Sequence, residues 1–302
     1  MNDVRARRRA ILVSAIPYIW VLLFLVLPLL FVLRLSLSQS VLAQPPYAPI
    51  FDFTDGPAIN VDKLKQFSLD AYRGLFSDAL YVDAYFSSVA LAATATALTL
   101  IVAFPFAYAI AASDRRWRPT LLALAMAPFW TSFLIRVYAL SALIRNDGPL
   151  EQMLVGLRFI TPPLDLFASN AAVVLGIVYS YLPFMVLPIY TALERRDPAL
   201  LEAARDLGAG PLTAFSTITL PLSLPGVIAG SLLVFIPAVG EFVIPDLLGG
   251  SDTLMIGRVM WNDFFANRDW PTASSAAVVL VILLLAPLVL AERRAQRGTA
   301  RA

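Results

Sequence analysis

Long apolar runs dominate this chain, separated by short basic segments and by longer segments with acidic residues. A helix needs about 20 mostly apolar residues to cross a hydrocarbon layer. Six stretches qualify: Ile11 to Leu33, Tyr85 to Ala112, Pro119 to Ile144, Ala171 to Leu193, Leu222 to Leu247 and Thr272 to Ala291. The pattern predicts an all-α integral membrane protein with six transmembrane helices. The first run is longer than a signal-peptide core, and no small-residue cleavage site follows it, so it is expected to remain as a helix. Pro105, Pro128, Pro183, Pro188, Pro225 and Pro237 fall inside the runs. Prolines there kink helices and free backbone groups, which suits spans that enclose a cavity.

The expected organisation follows from these runs. Residues 1–10 form a cytoplasmic arm, 11–37 the first transmembrane helix and 38–84 a periplasmic loop. Residues 85–291 hold the other five helices, including the connection 194–221, and 292–302 form a tail. The outer loop turns amphipathic from Leu69 to Phe76, which predicts a short helix at the membrane interface. Trp20, Trp117, Trp261 and Trp270 lie near span ends, where Trp commonly anchors a helix at the headgroups.

Charge sets the orientation. Arg5, Arg7, Arg8 and Arg9 precede the first run, and Arg115, Arg116 and Arg118 separate the second from the third. Arg195, Arg196 and Arg205 lie between the fourth and fifth, and Arg293, Arg294, Arg297 and Arg301 follow the sixth. Basic residues concentrate in short cytoplasmic loops. Both termini are therefore expected in the cytoplasm.

Composition agrees and excludes much else. Hydrophobic residues make up 59% of the 302 and charged residues 15%, whereas soluble domains carry about 25% charged residues. The mean hydropathy is +0.75. With no Cys and no His, thiol chemistry, imidazole catalysis and ordinary zinc sites are out. Lys63 and Lys65 are the only lysines, and neither follows Gly as a phosphate-binding P-loop requires. No catalytic residue, metal site or nucleic-acid partner is expected. Any energy source must reside on another subunit.

The connection between the fourth and fifth runs is the most specific segment. It reads Glu202-Ala203-Ala204-Arg205-Asp206-Leu207-Gly208, then nine residues, then Ile218-Thr219-Leu220-Pro221. A short helix here has a small face at Ala203 and Ala204 and a charged face at Glu202, Arg205 and Asp206. Gly208 is placed to end it. Such a helix can seat in a partner's groove, the alanines allowing close approach and the charges fixing register. From Pro211 to Leu220 a second short apolar piece leads back to the membrane.

The segment resembles, without a gap, the EAA loop of permeases in binding-protein-dependent ABC importers. The resemblance implies a type I ABC importer permease fold in a bacterial inner membrane. It also implies that this loop docks on an ATPase dimer, where ATP and Mg are bound. Further stretches carry a narrower likeness: Thr131 to Ala139, Leu182 to Tyr190, Phe235 to Gly250, and Arg268-Asp269-Trp270-Pro271. Together they resemble the spermidine/putrescine importer permeases, and Gly240-Glu241-Phe242-Val243-Ile244-Pro245 looks most like the putrescine-type member. That implies a second, related permease, a periplasmic binding protein and a polyamine substrate.

A carboxylate within a span is costly and by default marks a pathway or an ion pair. Glu241 is such a group, with Asp246 five residues on, and Pro237 and Pro245 flank Glu241 as in a broken helix. Amines are held by carboxylates and aromatic faces. Tyr138, Trp130, Tyr179, Tyr181, Phe235 and Phe242 are the candidate rings. The competing reading pairs Glu241 with Arg136 or Arg258 as a structural bridge. Arg136 would repel a polyamine from the path, so a structural role, with a carboxylate or helix-end carbonyls, is expected for it. Two other functions stay open: the same kind of permease for iron, thiamine, sulfate or an opine-like compound, and a proton-driven secondary transporter with Glu241 as relay.

Overall fold

The computed structural model describes residues 15–51 and 62–299, with side chains as far as residue 289. Arg5, Arg7, Arg8, Arg9, Arg293, Arg294, Arg297 and Arg301, the middle of the outer loop and the start of the first run lie outside the residues or side chains so described.

The elements, in chain order, are α1 (Ala15–Ser36), a two-stranded antiparallel ribbon of β1 (Gln39–Ser40) and β2 (Tyr47–Ala48), and α2 (Asp70–Ser77). Then come α3 (Ala79–Ala112), α4 (Arg118–Met126), α5 (Phe133–Ile144), α6 (Pro149–Gly156), α7 (Asn170–Glu194) and α8 (Ala199–Asp206). The chain continues with α9 (Pro211–Val239), α10 (Val243–Leu248), α11 (Ile256–Trp261) and α12 (Trp270–Thr299). Among the described residues, α1, α3, α7, α9 and α12 are each long and apolar enough to cross a membrane.

The third apolar run does not form one straight helix. A tight turn over Ala127–Trp130 follows α4, the chain extends at Thr131 and Ser132, and α5 departs at 88°. Pro128 is the cause available in the sequence: it lacks an N–H and crowds the preceding turn. The fifth run also differs from expectation. Its helix begins at Pro211 and ends at Val239, short of Leu247. Thus the piece from Pro211 to Leu220 is the first part of α9. A wide turn at Phe215–Thr219 lets the helix run on into Pro221. At the far end Pro237 and Gly240 stop it, and α10 restarts three residues on.

The described residues form two units, each considered by itself. One comprises residues up to Val82 and from Val259 onward. Here α1 is apolar on all sides and open to its surroundings, as a lipid-facing helix is. Tyr72 of α2 donates to Ser36 Oγ at 2.7 Å, which ties the outer loop to the end of α1. Arg34 donates to the Pro49 carbonyl and lies over the rings of Phe31, Tyr47 and Phe51. Trp270 stacks on Phe264 and Tyr47 and donates from its indole N–H to the Phe264 carbonyl. It is thus a packing residue rather than a headgroup anchor. Trp20 and Trp117 remain exposed.

Asp83–Arg258 forms the other unit. Its core is built from Ala103, Ala107 and Ile110 of α3, Met185, Val186, Ile189, Tyr190 and Leu193 of α7, and Val234 of α9. Ser169 caps α7 by accepting from the Ala172 N–H. The approach of α9 to α7 is very close. A Cβ at Gly226 would lie 2.5 Å from the Pro188 carbonyl oxygen, and one at Gly230 would lie 2.8 Å from Met185 Sδ. The two glycines stand four apart, the spacing that lets membrane helices bring their backbones together.

Candidate functional site

Two places in the second unit carry the chemistry read from the sequence. One is the exposed helix α8. The Asp197 carboxylate accepts from the Ala199 N–H at its start. At its end Gly208 adopts φ +82°, and the N–H groups of Gly208 and Ala209 bond back to the carbonyls of Arg205 and Ala204. This is the Schellman stop, and it needs a residue that tolerates a left-handed backbone. Glu202, Ala203, Arg205 and Asp206 are exposed, and Ala204 is half-buried. Two leucines flank them in the open, Leu207 at 89% exposure and Leu212 at 83%. Leu220 and Pro221 sit a turn or more into α9, away from the short helix. Arg196 donates to Thr219 Oγ1 at 2.7 Å and so joins the two ends of the connection.

The other place is a cavity of about 560 Å³ where α9 breaks. Phe129 and Phe133, on either side of the 88° bend, Arg136 of α5, and Ser180, Tyr181 and Phe184 of α7 line it, with Pro237 and Gly240–Val243. Glu241 is buried here with 7% exposure. One of its oxygens accepts from the N–H groups of Phe242, Val243 and Ile244 at 3.0–3.5 Å, the free donors at the start of α10. The Tyr181 hydroxyl donates to the other oxygen. Phe184 stands against both Phe129 and Tyr181, giving an aromatic wall.

Of the candidate path residues, Glu241, Tyr181 and Phe242 meet at this cavity. The others stand elsewhere. Asp246 pairs with Arg258 at 3.4 Å and is half-exposed. Tyr138, Trp130 and Tyr179 are exposed and Phe235 is half-buried, and none of the four lines the cavity. The competing pairing of Glu241 with Arg136 or Arg258 is not seen among the described residues, where backbone N–H groups and Tyr181 bond the carboxylate instead. Nor is Arg136 tied to a carboxylate or helix-end carbonyls. Its Nε and Nη1 lack hydrogen-bond partners among the described residues, and its guanidinium lies 5.5 Å from the Phe129 ring centre and 5.8 Å from that of Phe133. Arg136 belongs to the cavity after all. A lone arginine in an apolar run was the signal for it. Ser180 carried no comparable signal.

The family model for the binding-protein-dependent transport system inner membrane component matches residues 3–297. The chain belongs to this family. It is a multi-pass bacterial inner membrane protein and a transport subunit rather than an enzyme. It is 36% identical over 270 residues to the spermidine/putrescine transport system permease protein PotB of Haemophilus influenzae, an alignment covering 89% of this chain and 88% of that one. It is 43% identical over 218 residues to the PotB of Escherichia coli, covering 72% of this chain and 79% of the relative. Both names join spermidine with putrescine and do not single out putrescine. The fold is that of ABC importer permeases. A chain of the bacterial alginate ABC transporter, crystallised with its alginate-bound periplasmic protein, superposes with a TM-score of 0.70 at 16% identity, covering 99% of this family member and 97% of that chain. A chain of the MetNI methionine ABC transporter superposes at 0.55 with 18% identity, covering 72% of this family member and 95% of that chain.

Proposed function

We propose that this chain conducts polyamines as one half of the membrane path of an ATP-driven importer. Six spans with both termini in the cytoplasm are the arrangement consistent with the basic segments, counting the bent pair α4–α5 as one span. A second, related permease completes the path, a periplasmic binding protein delivers substrate, and an ATPase dimer holds ATP and Mg. The similarity to permeases named for spermidine and putrescine, over 72–89% of this chain, supports the substrate class.

The observation that carries the reading is Glu241 itself. A carboxylate is held at the break of a membrane helix, in a cavity walled by rings, by hydrogen bonds from the start of α10 and from Tyr181. An ammonium group is attracted by that charge and by the face of Phe184 or Tyr181. In the proposed cycle, ATP binding closes the ATPase dimer and carries α8 with it. Since α7 and α9 flank that loop, the motion reaches the Tyr181–Glu241 contact and opens the cavity outward. Hydrolysis resets it.

The test is uptake of radiolabelled spermidine and putrescine into proteoliposomes holding the assembled importer and its binding protein. ATP-dependent uptake of either is the expected result. ATPase activity stimulated by the binding protein, without uptake of any polyamine, would leave the importer class standing and overturn the substrate.

A further inference from the structure

The donors and acceptors of the Glu241 cavity do not balance. Both Glu241 oxygens already receive hydrogen bonds, from the start of α10 and from Tyr181, and none of those donors is Arg136. The donor side is in surplus. Arg136 is 8% exposed, and its Nε and Nη1 have no partner among the described residues. Ser180 is 2% exposed, its Oγ is likewise unpartnered, and it lines the same cavity. Two rings lie against the guanidinium and hold it in place while leaving those N–H edges without acceptors.

A guanidinium does not discharge by losing its proton in a protein. Buried with no carboxylate in direct ion-pair contact among the described residues, it is strongly disfavoured, and such groups find a partner. From these features we infer that the cavity holds a small anion, of halide or carboxylate size, against Arg136 and Ser180. Charge-assisted hydrogen bonds to guanidinium and a serine hydroxyl are the recognition chemistry such an anion uses. The volume accommodates it beside a second small group. With Arg136 neutralised, the field in the cavity is that of Glu241, so a bound anion makes the cavity accept cations rather than repel them. The anion site rests on the cavity alone and does not depend on the substrate assigned above.

The test uses the assembled importer in detergent, with chloride as the probe. Bound chloride broadens its own ³⁵Cl magnetic resonance line, so excess linewidth reports binding. Arg136→Gln should weaken chloride binding by about tenfold or more, as expected when a charged hydrogen-bond donor is lost. Ser180→Ala should weaken it less, and acetate should compete in the wild type. Ser180→Ala, a small change within α7, provides a check that is independent of any folding defect in Arg136→Gln. The same excess linewidth in wild type and both variants would overturn the inference. It would mean that chloride binds elsewhere, or that a carboxylate of another subunit serves Arg136.

Discussion

The Tyr181 hydroxyl donates to Glu241 across sixty residues of sequence, joining the middle of α7 to the break that ends α9. Among the described residues it is the one side-chain bond to the Glu241 carboxylate, the others coming from backbone N–H groups at and just before the start of α10. Tyr181→Phe keeps the ring and removes the bond. A hydrogen bond to a charged group contributes about 1.5–3 kcal/mol. The variant should show a lower thermal midpoint and slower uptake, with the ATPase still stimulated by the binding protein. Scanning fluorimetry and transport on the same preparation would check both.

The close approach of α7 and α9 makes a second prediction. Gly230→Leu drives a side chain into Met185, and Gly226→Leu into the backbone at Pro188. Overpacking of this kind costs about 1–3 kcal/mol or more. Both should reduce the yield of folded complex and lower its midpoint. Ile228→Leu, at an exposed position on the same helix, should do neither. Size-exclusion profiles of the three separate these outcomes.

At α8, proposed above to dock on the ATPase, the expected defect is in coupling, not insertion. Ala203→Asp places a charge on its small exposed face, and Gly208→Arg forces a side chain into a left-handed backbone at φ +82°. Each should insert into the membrane normally yet lose uptake relative to ATP turnover. Unchanged uptake per ATP hydrolysed would remove α8 from the coupling route.

In the first unit, Asp263 accepts from Tyr81 at 2.8 Å and from Asn267 at 3.0 Å. Burial pushes its pKa up from the ordinary carboxylate range, against those two hydrogen bonds. A raised carboxyl pKa means the folded state keeps a proton that the unfolded state has released. Stability from this group is therefore greatest below the unfolded value of about 3.9, and falls as pH rises through the folded value. Asp263→Asn should remove that dependence. Thermal midpoints of the two proteins across an acid-to-neutral pH series give the comparison.

How much of this was legible beforehand depended on range. Apolar length located the spans, because the bilayer imposes length locally on the sequence. Gly208 and the residues before it announced a capped helix for the same reason: caps are local. The bend after Pro128 was visible as a proline, but not as an 88° turn, which depends on how α5 rejoins α7. Glu241 stood out as a charge in an apolar run, while its partners did not. Backbone N–H groups are invisible in composition, and Tyr181 was one of several equivalent rings. Asp246 was placed on the path by its nearness to Glu241 in sequence, yet three residues of helix turn it toward Arg258. The charge of Arg136 argues against a cationic path, and only its packing against Phe129 and Phe133 shows that it lines the cavity.

The central claim is that Glu241 forms part of the conducting path. Its most direct test is ATP-dependent polyamine uptake by reconstituted importer carrying Glu241→Gln, alongside ATPase stimulation by the binding protein. The amide keeps most of the hydrogen bonds to the start of α10 but loses the charge. Uptake should fall by about tenfold or more, as for loss of a charge-assisted contact, while ATPase stimulation stays near wild type. Wild-type uptake by the variant would contradict the claim and leave Glu241 as a cap for α10.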